Sequence, residues 1–384
     1  MDVVVTGIGL ASVLGNLSSS WQALLAGQSG IRMMRPFSGL PVRPLGLINA
    51  EPIDLLTLTQ RIVLDAVQDA QLPLPLPDCG IVIGSSRGQQ AQWEQLARQF
   101  YGGDRAPFAL TNWLETMPNG AAIAAARLLQ THGPVLAPMA ACATGLWAIA
   151  QGFDLIRSGT CQQVIAGAVE APVTPLSLAG FNRMGALATT GAYPFDRDRE
   201  GLVLAEGGAV IVMESADFAR SRLTKIYGQI CGFGLTADGY HVSAPDVEGG
   251  TAAVAITQSL SRSGMMPQQI DYIHAHGTAT RLNDRHEAQL IATLFPSGVA
   301  VSSTKGATGH TLGASTALGV AFCLMALKHQ QLPPCVGLTR PEFALDFLHT
   351  ARVGAVKAAL CLGFGFGGQN GAIVLRPYHH PDSG

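Results

Sequence analysis

Short apolar runs alternate along this chain with stretches whose apolar positions recur every three to four residues, the two signatures of buried strand and amphipathic helix. Strands are predicted over Val3–Thr6, Gly80–Ile83, Gln163–Ala166 and Ala209–Glu214 in the first half. In the second half they are predicted over Ile226–Cys231, Tyr272–Ala275, Val299–Ser302, Ala358–Leu362 and Ala372–Leu375. Helical periodicity fills the intervals: Ser20–Ala26, Leu58–Gln68, Gln89–Tyr101, Gly120–Gln130, Leu146–Arg157, Thr251–Ser263, Arg285–Phe295 and Ala314–Lys328. Strands separated by helices predict an α/β fold with mostly parallel sheets covered on both faces. A faint echo runs through the pattern. Gly207-Gly208 leads into Ala209–Val212, and Gly367-Gly368 with Gly371 leads into Ala372–Leu375. Two glycine-rich bends, each feeding a terminal apolar strand, are what an internal duplication leaves behind. The charged segment Asp217–Thr224 marks the boundary, giving halves 1–218 and 219–384.

Composition narrows the class. Of 384 residues, 48% are hydrophobic and 13% charged, so much of the chain is buried in its own core and in a subunit interface. The net charge of −2 supplies no basic field, which excludes a nucleic-acid binder. Seven cysteines, an odd number without a CxxC pair, fit a reducing compartment and not a disulfide framework. The start, Met1–Gly7, lacks a basic region and reads as a first strand, not a signal peptide. Apolar stretches such as Gly319–Leu327 are read as too short to span a bilayer.

The chemistry is concentrated in a few motifs. Ala140-Ala141-Cys142-Ala143-Thr144-Gly145 sets a cysteine, among small residues, where an apolar run gives way to a helix. The helix dipole there favours thiolate, and its unpaired N–H groups can hold an oxyanion. In Tyr272–Thr280 a strand runs into a polar turn carrying His276. In Val301–Gly313 a strand is followed by Lys305 and, five residues on, by His310. Gly363–Asn370 is a glycine-rich segment bearing Phe364 and Phe366. Taken singly, each has an ordinary reading: Cys142 as a small core residue, His310 as a capping or core histidine, Lys305 as an exposed lysine, the two phenylalanines as packing. His274 and His276 share a face if the strand continues, but zinc requires a third ligand and no partner stands at fixed spacing, so no metal is expected.

At these residues the chain resembles the β-ketoacyl-acyl carrier protein synthases of the thiolase-like superfamily, most of all the elongating, synthase II type. The resemblance runs from Val3–Gly9 through Leu24–Ile31, Pro194-Phe195-Asp196 and Glu206-Gly207-Gly208 to Gly365–Gly368. It implies a thiolase-like fold: two duplicated α/β halves forming a five-layer α/β/α/β/α core, assembled as a homodimer. The implied activity is a decarboxylating Claisen condensation of an acyl thioester with malonyl-acyl carrier protein in fatty-acid elongation. By the same resemblance Cys142 is the nucleophile, and His276 and His310 polarise the malonyl thioester. Lys305 supports the site electrostatically, with Glu287 as its acidic partner. The N–H groups of Cys142 and Phe366 form the oxyanion hole. Phe364, Gly365 and Phe366 belong to the gate, Phe366 being the aromatic that swings. Met117 matches the pocket bottom, His241 the malonyl entrance, and Thr278 and Thr280 the substrate pocket. No metal or organic cofactor is implied, since the phosphopantetheine arm belongs to the acyl carrier protein partner. The implied location is the cytoplasm, or the plastid stroma after loss of a transit peptide.

Departures from the family pattern are local. The chain is short between Phe37 and Leu58, and of a basic cluster used for carrier docking only Arg61 remains, with Arg183 the nearest substitute for a displaced arginine. Arg281-Leu282-Asn283 replaces Pro-x-Gly, His274 stands for Asn or Ser, Gly306 and Ala307 replace bulkier residues, Gln369 replaces threonine, and Leu362-Gly363 replaces Asn-Ser. These leave room for a polyketide or specialised-lipid ketosynthase. A non-catalytic partner subunit of the chain-length-factor kind is disfavoured by the presence of Cys142, His276 and His310 together.

Overall fold

A computed structural model describes residues 1–101, 113–248 and 250–378. Its core is one mixed sheet in which a five-strand pattern occurs twice. In the first half the order is Val3–Ser12, Gly207–Ser215, Gln163–Glu170, Gly80–Gly84, Val135–Leu136, paired antiparallel, antiparallel, parallel, parallel. In the second it is Gly228–Ala237, Gln369–Arg376, Ala359–Gly365, Tyr272–His274, Ala300–Ser302, with the same succession of pairings. The two join where Val3–Val5 pair antiparallel with Gly228–Ile230.

The expectation of mostly parallel sheets is therefore corrected. The reason is visible in the second echo: Ala359–Gly365 and Gln369–Arg376 are linked by only Phe366, Gly367 and Gly368, and so short a link can only make a hairpin. Gly367 and Gly368 adopt left-handed φ of 78° and 71°, which glycine tolerates.

Helices cover the sheet in three layers. Leu55–Asp69 and Gly120–Leu129 bury one apolar cluster against the outer face of the first half. Thr251–Ser263 and Arg281–Leu294 do the same for the second. Thr144–Arg157 and Ser315–His329 lie between the half-sheets within the largest cluster, completing the five layers. Every residue of Val3–Ser12 is buried, which explains its unbroken apolar run. A Cβ on Gly9 would strike the Ile62 carbonyl, so the outer helix lies directly on this strand.

The middle helix revises the reading of its apolar stretch. Leu312–His329 covers 18 residues at a hydropathy of 1.4, long and apolar enough to cross a membrane, yet 89% of it is buried inside the fold. It is apolar all round because protein surrounds it all round. Its N-terminus meets that of the other inner helix: Leu146 N–H donates to Thr316 Oγ1 at 3.1 Å, and a Cβ on Gly145 would lie 2.5 Å from the Ala317 nitrogen. This crossing brings residues 142 and 310 together. The segment Asp217–Thr224 is not a bare linker. It overlaps the helix Ala216–Ser221, whose Ala216 and Ala219 pack against Val4.

Candidate active site

Each inner helix is entered through a tight turn, Ala141–Ala143 before one and Leu312–Ala314 before the other. Ala141 and Leu312 are held at left-handed φ of 46° and 44°. A non-glycine residue there costs on the order of 1 kcal/mol, a strain tolerated where the surroundings over-determine it. Thr144 fixes the first turn: its Oγ1 donates to the Ala141 carbonyl at 2.6 Å and accepts from Ala140 N–H at 2.9 Å. Cys142 is thereby presented at the helix N-terminus, only 8% exposed, with the Phe366 N–H directed at its thiol. Gly365 abuts the same turn, for a Cβ there would meet the Ala140 carbonyl at 2.6 Å.

His276 lies just beyond the strand Tyr272–His274. Its peptide is clamped from both ends. Glu287 accepts from the N–H groups of His276 and Gly277 at 2.6 and 2.7 Å, and the Lys305 ammonium donates to the His276 carbonyl. Lys305 and Glu287 form no direct ion pair within 4 Å among the described residues; they meet across the His276 peptide, and the charge of each favours the charged form of the other. Both are fully buried in the site's interior, and burial raises Glu287 to about 7 and lowers Lys305. His310 is fixed by its N–H to the Val203 carbonyl at 2.7 Å and by a 2.8 Å hydrogen bond between Nδ1 and Ser315 Oγ, leaving Nε2 for the site.

The three side chains converge. One ligating atom each from Cys142, His276 and His310 lies within 4.8 Å of the others. The two imidazoles stand nearly perpendicular, with centroids 5.5 Å apart, and Phe364 meets His276 edge-on at 5.9 Å. Burial, reinforced by the Lys305 charge, pushes both histidines well below the usual imidazole range, so they are neutral N–H donors at pH 7. Burial also lifts the Cys142 thiol to about 11, against the lowering effect of Lys305 and the Phe366 N–H. The thiolate expected from the helix dipole is thus not the resting form, because desolvation outweighs the favourable charges. A thiol of this kind can accept an acyl group, and neutral imidazoles beside it can donate to a carbonyl oxygen as charge builds there. The same donors, one sulfur and two nitrogens, are the set that would hold a soft metal ion.

A cavity of about 420 Å³ opens above this cluster. Cys142, His276 and His310 form its buried floor; Phe364, Gly365, Phe366, Thr278 and Thr280 form its wall. Thr278 and Thr280 share a 2.9 Å hydroxyl hydrogen bond. Phe366 leans on Phe181 with centroids 6.2 Å apart. Two expected residues do not reach the cavity. Met117 is 41% exposed and outside the lining, since Met117 ends a short turn on the surface. His241 is also exposed and outside it, its Nδ1 engaged by the N–H groups of Ser243 and Ala244 at 3.1 Å. His274 turns away from the floor, its Nε2 sharing a 3.1 Å hydrogen bond with Thr304 Oγ1, so it does not pair with His276.

Sequence reasoning missed Glu170. It is fully buried at the end of Gln163–Glu170, accepts from Ser85 Oγ at 3.0 Å and from Ser86 N–H, and its charge raises the Cys142 thiol. The signal was present as the Ser85-Ser86 pair just past the predicted strand Gly80–Ile83 and an acidic residue four positions past the predicted strand Gln163–Ala166.

Known proteins match this chain over nearly its whole length. Residues 54–219 match the family described as beta-ketoacyl synthase, N-terminal domain, and residues 227–339 match beta-ketoacyl synthase, C-terminal domain. The chain is 34% identical to 3-oxoacyl-[acyl-carrier-protein] synthase 2 of Vibrio cholerae, covering 97% of this chain and 98% of that protein. It is 32% identical to the mitochondrial 3-oxoacyl-[acyl-carrier-protein] synthase of Arabidopsis thaliana, covering 97% and 92%. Among solved structures, the ishigamide ketosynthase/chain length factor superposes with a TM-score of 0.92 at 27% identity, covering 98% of this chain and 99% of that one. A beta-ketoacyl synthase from Burkholderia phymatum gives 0.91 at 26% identity, covering 98% and 100%. With both domains matched and relatives aligned end to end, this chain belongs to the beta-ketoacyl synthase family and has the thiolase-like fold.

Proposed function

We propose that this chain is a 3-oxoacyl-acyl carrier protein synthase that joins an acyl group to a malonyl unit in fatty-acid elongation. The observation that carries the reading is the convergence of Cys142, His276 and His310 on the floor of one cavity, in a chain aligned end to end with synthases of that name. In the first half-reaction the Cys142 sulfur attacks the thioester of an acyl carrier protein. Its proton leaves to a neutral imidazole or solvent, the carrier thiol departs, and the N–H groups of Cys142 and Phe366 hold the oxyanion. In the second, malonyl carrier protein loses carbon dioxide while His276 and His310 donate to its thioester oxygen. The resulting carbanion attacks the acyl carbonyl, and the Cys142 sulfur leaves and regains a proton. Lys305 and Glu287 hold the His276 peptide in place through both steps.

In this scheme no metal or organic cofactor takes part, and the partner is an acyl carrier protein bearing the phosphopantetheine arm. The chain is read as two units, 1–218 and 219–384, and as a homodimer. Support for the dimer is Val135–Leu136, an edge strand of the sheet among the described residues, with Leu136 on it exposed and Ile123 and Met139 exposed as well. Seven free thiols suit the reducing cytoplasm.

The test is intact-protein mass spectrometry with acyl carrier proteins of graded chain length, followed by malonyl carrier protein. Acylation of Cys142, then loss of that mass with release of carbon dioxide, is expected. A folded protein that no acyl carrier protein acylates refutes the reading. Products extended by several malonyl units per priming event would place it instead with polyketide ketosynthases.

A further inference from the structure

The cavity wall carries a charge that the condensation chemistry leaves unused. Arg281 lines the cavity, where the resemblance leads one to expect an uncharged Pro-x-Gly segment. Among the described lining residues it is the one lysine or arginine, and the two acidic ones among them are already satisfied from within the protein. Glu200 accepts from Thr189 N–H at 2.8 Å and from the hydroxyls of Thr189 and Thr190, which holds its carboxyl below the ordinary range. Asp238 accepts from Asn370 Nδ2 at 2.7 Å, from Asp246 N–H at 3.0 Å and from the Thr251 hydroxyl. The Arg281 side chain has no hydrogen-bond or ion-pair partner among the described residues.

Its backbone, by contrast, is held firmly. Arg199, 1% exposed, donates from Nε to the Thr280 carbonyl at 3.3 Å and from Nη2 to the Arg281 carbonyl at 3.2 Å. One buried guanidinium thus fixes the turn on which a second, unpaired guanidinium stands. Arg281 is exposed, as are Leu282 and Met184 beside it on the lining, whereas Cys142, His276 and His310 are buried. The cation therefore stands at the rim and the reacting atoms at the floor.

Resting on the condensing reading above, we propose that Arg281 is a specificity-determining residue that binds the phosphate of the substrate's pantetheine arm. Any acyl thioester reaching Cys142 through this cavity trails its arm past the rim, and the arm's one fixed anion is that phosphate. A guanidinium fork matches phosphate oxygens in geometry and charge. A local contact matters here, because a net charge of −2 gives the chain no long-range field to draw in an anionic substrate. Recognition thereby moves from the carrier's surface to the arm itself, in a chain that keeps only Arg61 of the expected docking cluster.

The test compares acyl-phosphopantetheine with acyl-pantetheine, the same arm with and without phosphate, as donors to Cys142. The readout is the rate of acyl-enzyme formation at low donor concentration. The wild-type protein is expected to prefer the phosphorylated donor roughly five- to tenfold at low salt, as a partly exposed charge-assisted contact gives. Arg281→Gln should bring the ratio near one, Arg281→Lys should restore part of it, and added salt should erode it. The carrier-bound arm and coenzyme A present related phosphates, so both acyl carriers are run in parallel. The donor whose rate falls most in Arg281→Gln is the one the contact serves. Loading by both short donors at equal rates in the wild type, or a preference that survives Arg281→Gln, overturns the phosphate contact alone. Failure of every donor to acylate Cys142 overturns the condensing reading and this inference with it.

Discussion

The resting protonation state of Cys142 can be read directly from its reaction with iodoacetamide across pH. Burial places the thiol at about 11, although Lys305 and the Phe366 N–H both pull it down. At pH 7 roughly one molecule in 10⁴ then carries the thiolate, against a few per cent for an ordinary cysteine near 8.5. The alkylation rate should accordingly rise about tenfold per pH unit from 7 to 10, without a plateau. Intact mass with peptide mapping separates Cys142 from the half-buried Cys231, the other six thiols serving as internal controls. Lys305→Met removes the favourable charge and should slow alkylation further at every pH. A rate that is flat between pH 6.5 and 9 would refute the reasoning. It would mean a thiolate held by a neighbouring imidazolium, which the burial of His276 and His310 opposes. The consequence for catalysis is that the proton leaves the thiol as the acyl bond forms, and not beforehand.

The remaining predictions concern the floor and its supports. Cys142→Ala should abolish acyl loading, whereas His276→Ala and His310→Ala should load acyl groups yet lose at least tenfold in condensation, as read by mass spectrometry and carbon dioxide release. Glu206 is fully buried, accepts the Ile53 and Ile48 N–H groups at 2.8 and 3.2 Å, and is pushed by burial from 4.5 to about 7. Its folded form holds a proton that the unfolded chain has lost, so its contribution is complete below about 4.5 and is lost as pH rises through about 7. The unfolding free-energy difference between wild type and Glu206→Gln, read from thermal melts, should therefore shift against the wild type from pH 5 to pH 8, by up to about 3 kcal/mol. A pH-independent difference would contradict this.

What the sequence made legible follows from the range of the forces involved. Long helices such as Thr251–Ser263 announce themselves by local periodicity, whereas of the strand Val3–Ser12 only Val3–Thr6 is predicted, because Gly7 and Gly9 interrupt its apolar run. Cys142, His276 and His310 were found because each stands where a strand or turn meets a helix, and because the motifs resemble a family. The helix Pro175–Arg183 was overlooked although its signals are local: Thr174 caps Ser177 N–H at 3.1 Å, with proline at the first helical position. The antiparallel hairpin closing the second half was hidden because the bend at Gly367 and Gly368 is legible but the strands it joins are expected to belong to a mostly parallel sheet. Glu170, and the clamp on the His276 peptide, depend on contacts between residues far apart in the chain. No local pattern encodes such partners. Met117 and His241 were placed by resemblance alone, and both lie outside the cavity of this chain.

The repeated topology raises the question of why one site exists and not two. Both inner helices begin with the same strained turn, and Cys142 in the first occupies the place of Gly313 in the second. A Cβ at residue 313 would lie 2.7 Å from Glu170 Oε1 and 3.0 Å from both the Ala141 carbonyl oxygen and Thr144 Cβ. All three belong to the framework that presents Cys142, so a side chain on the second turn would displace the support of the first. Gly313→Ala should therefore be an overpacking change at the base of the nucleophile, costing about 1–3 kcal/mol in stability and slowing acylation of Cys142 at least tenfold. Gly180→Ala is the control. Gly180 is an exposed helical glycine with open space at its Cβ, where alanine should stabilise by about 0.5–1 kcal/mol and leave acylation alone. Thermal melts and the intact-mass loading assay read both. A Gly313→Ala protein that melts and loads like wild type would show that the two turns are mechanically independent. The single site would then need an explanation other than the contact between them.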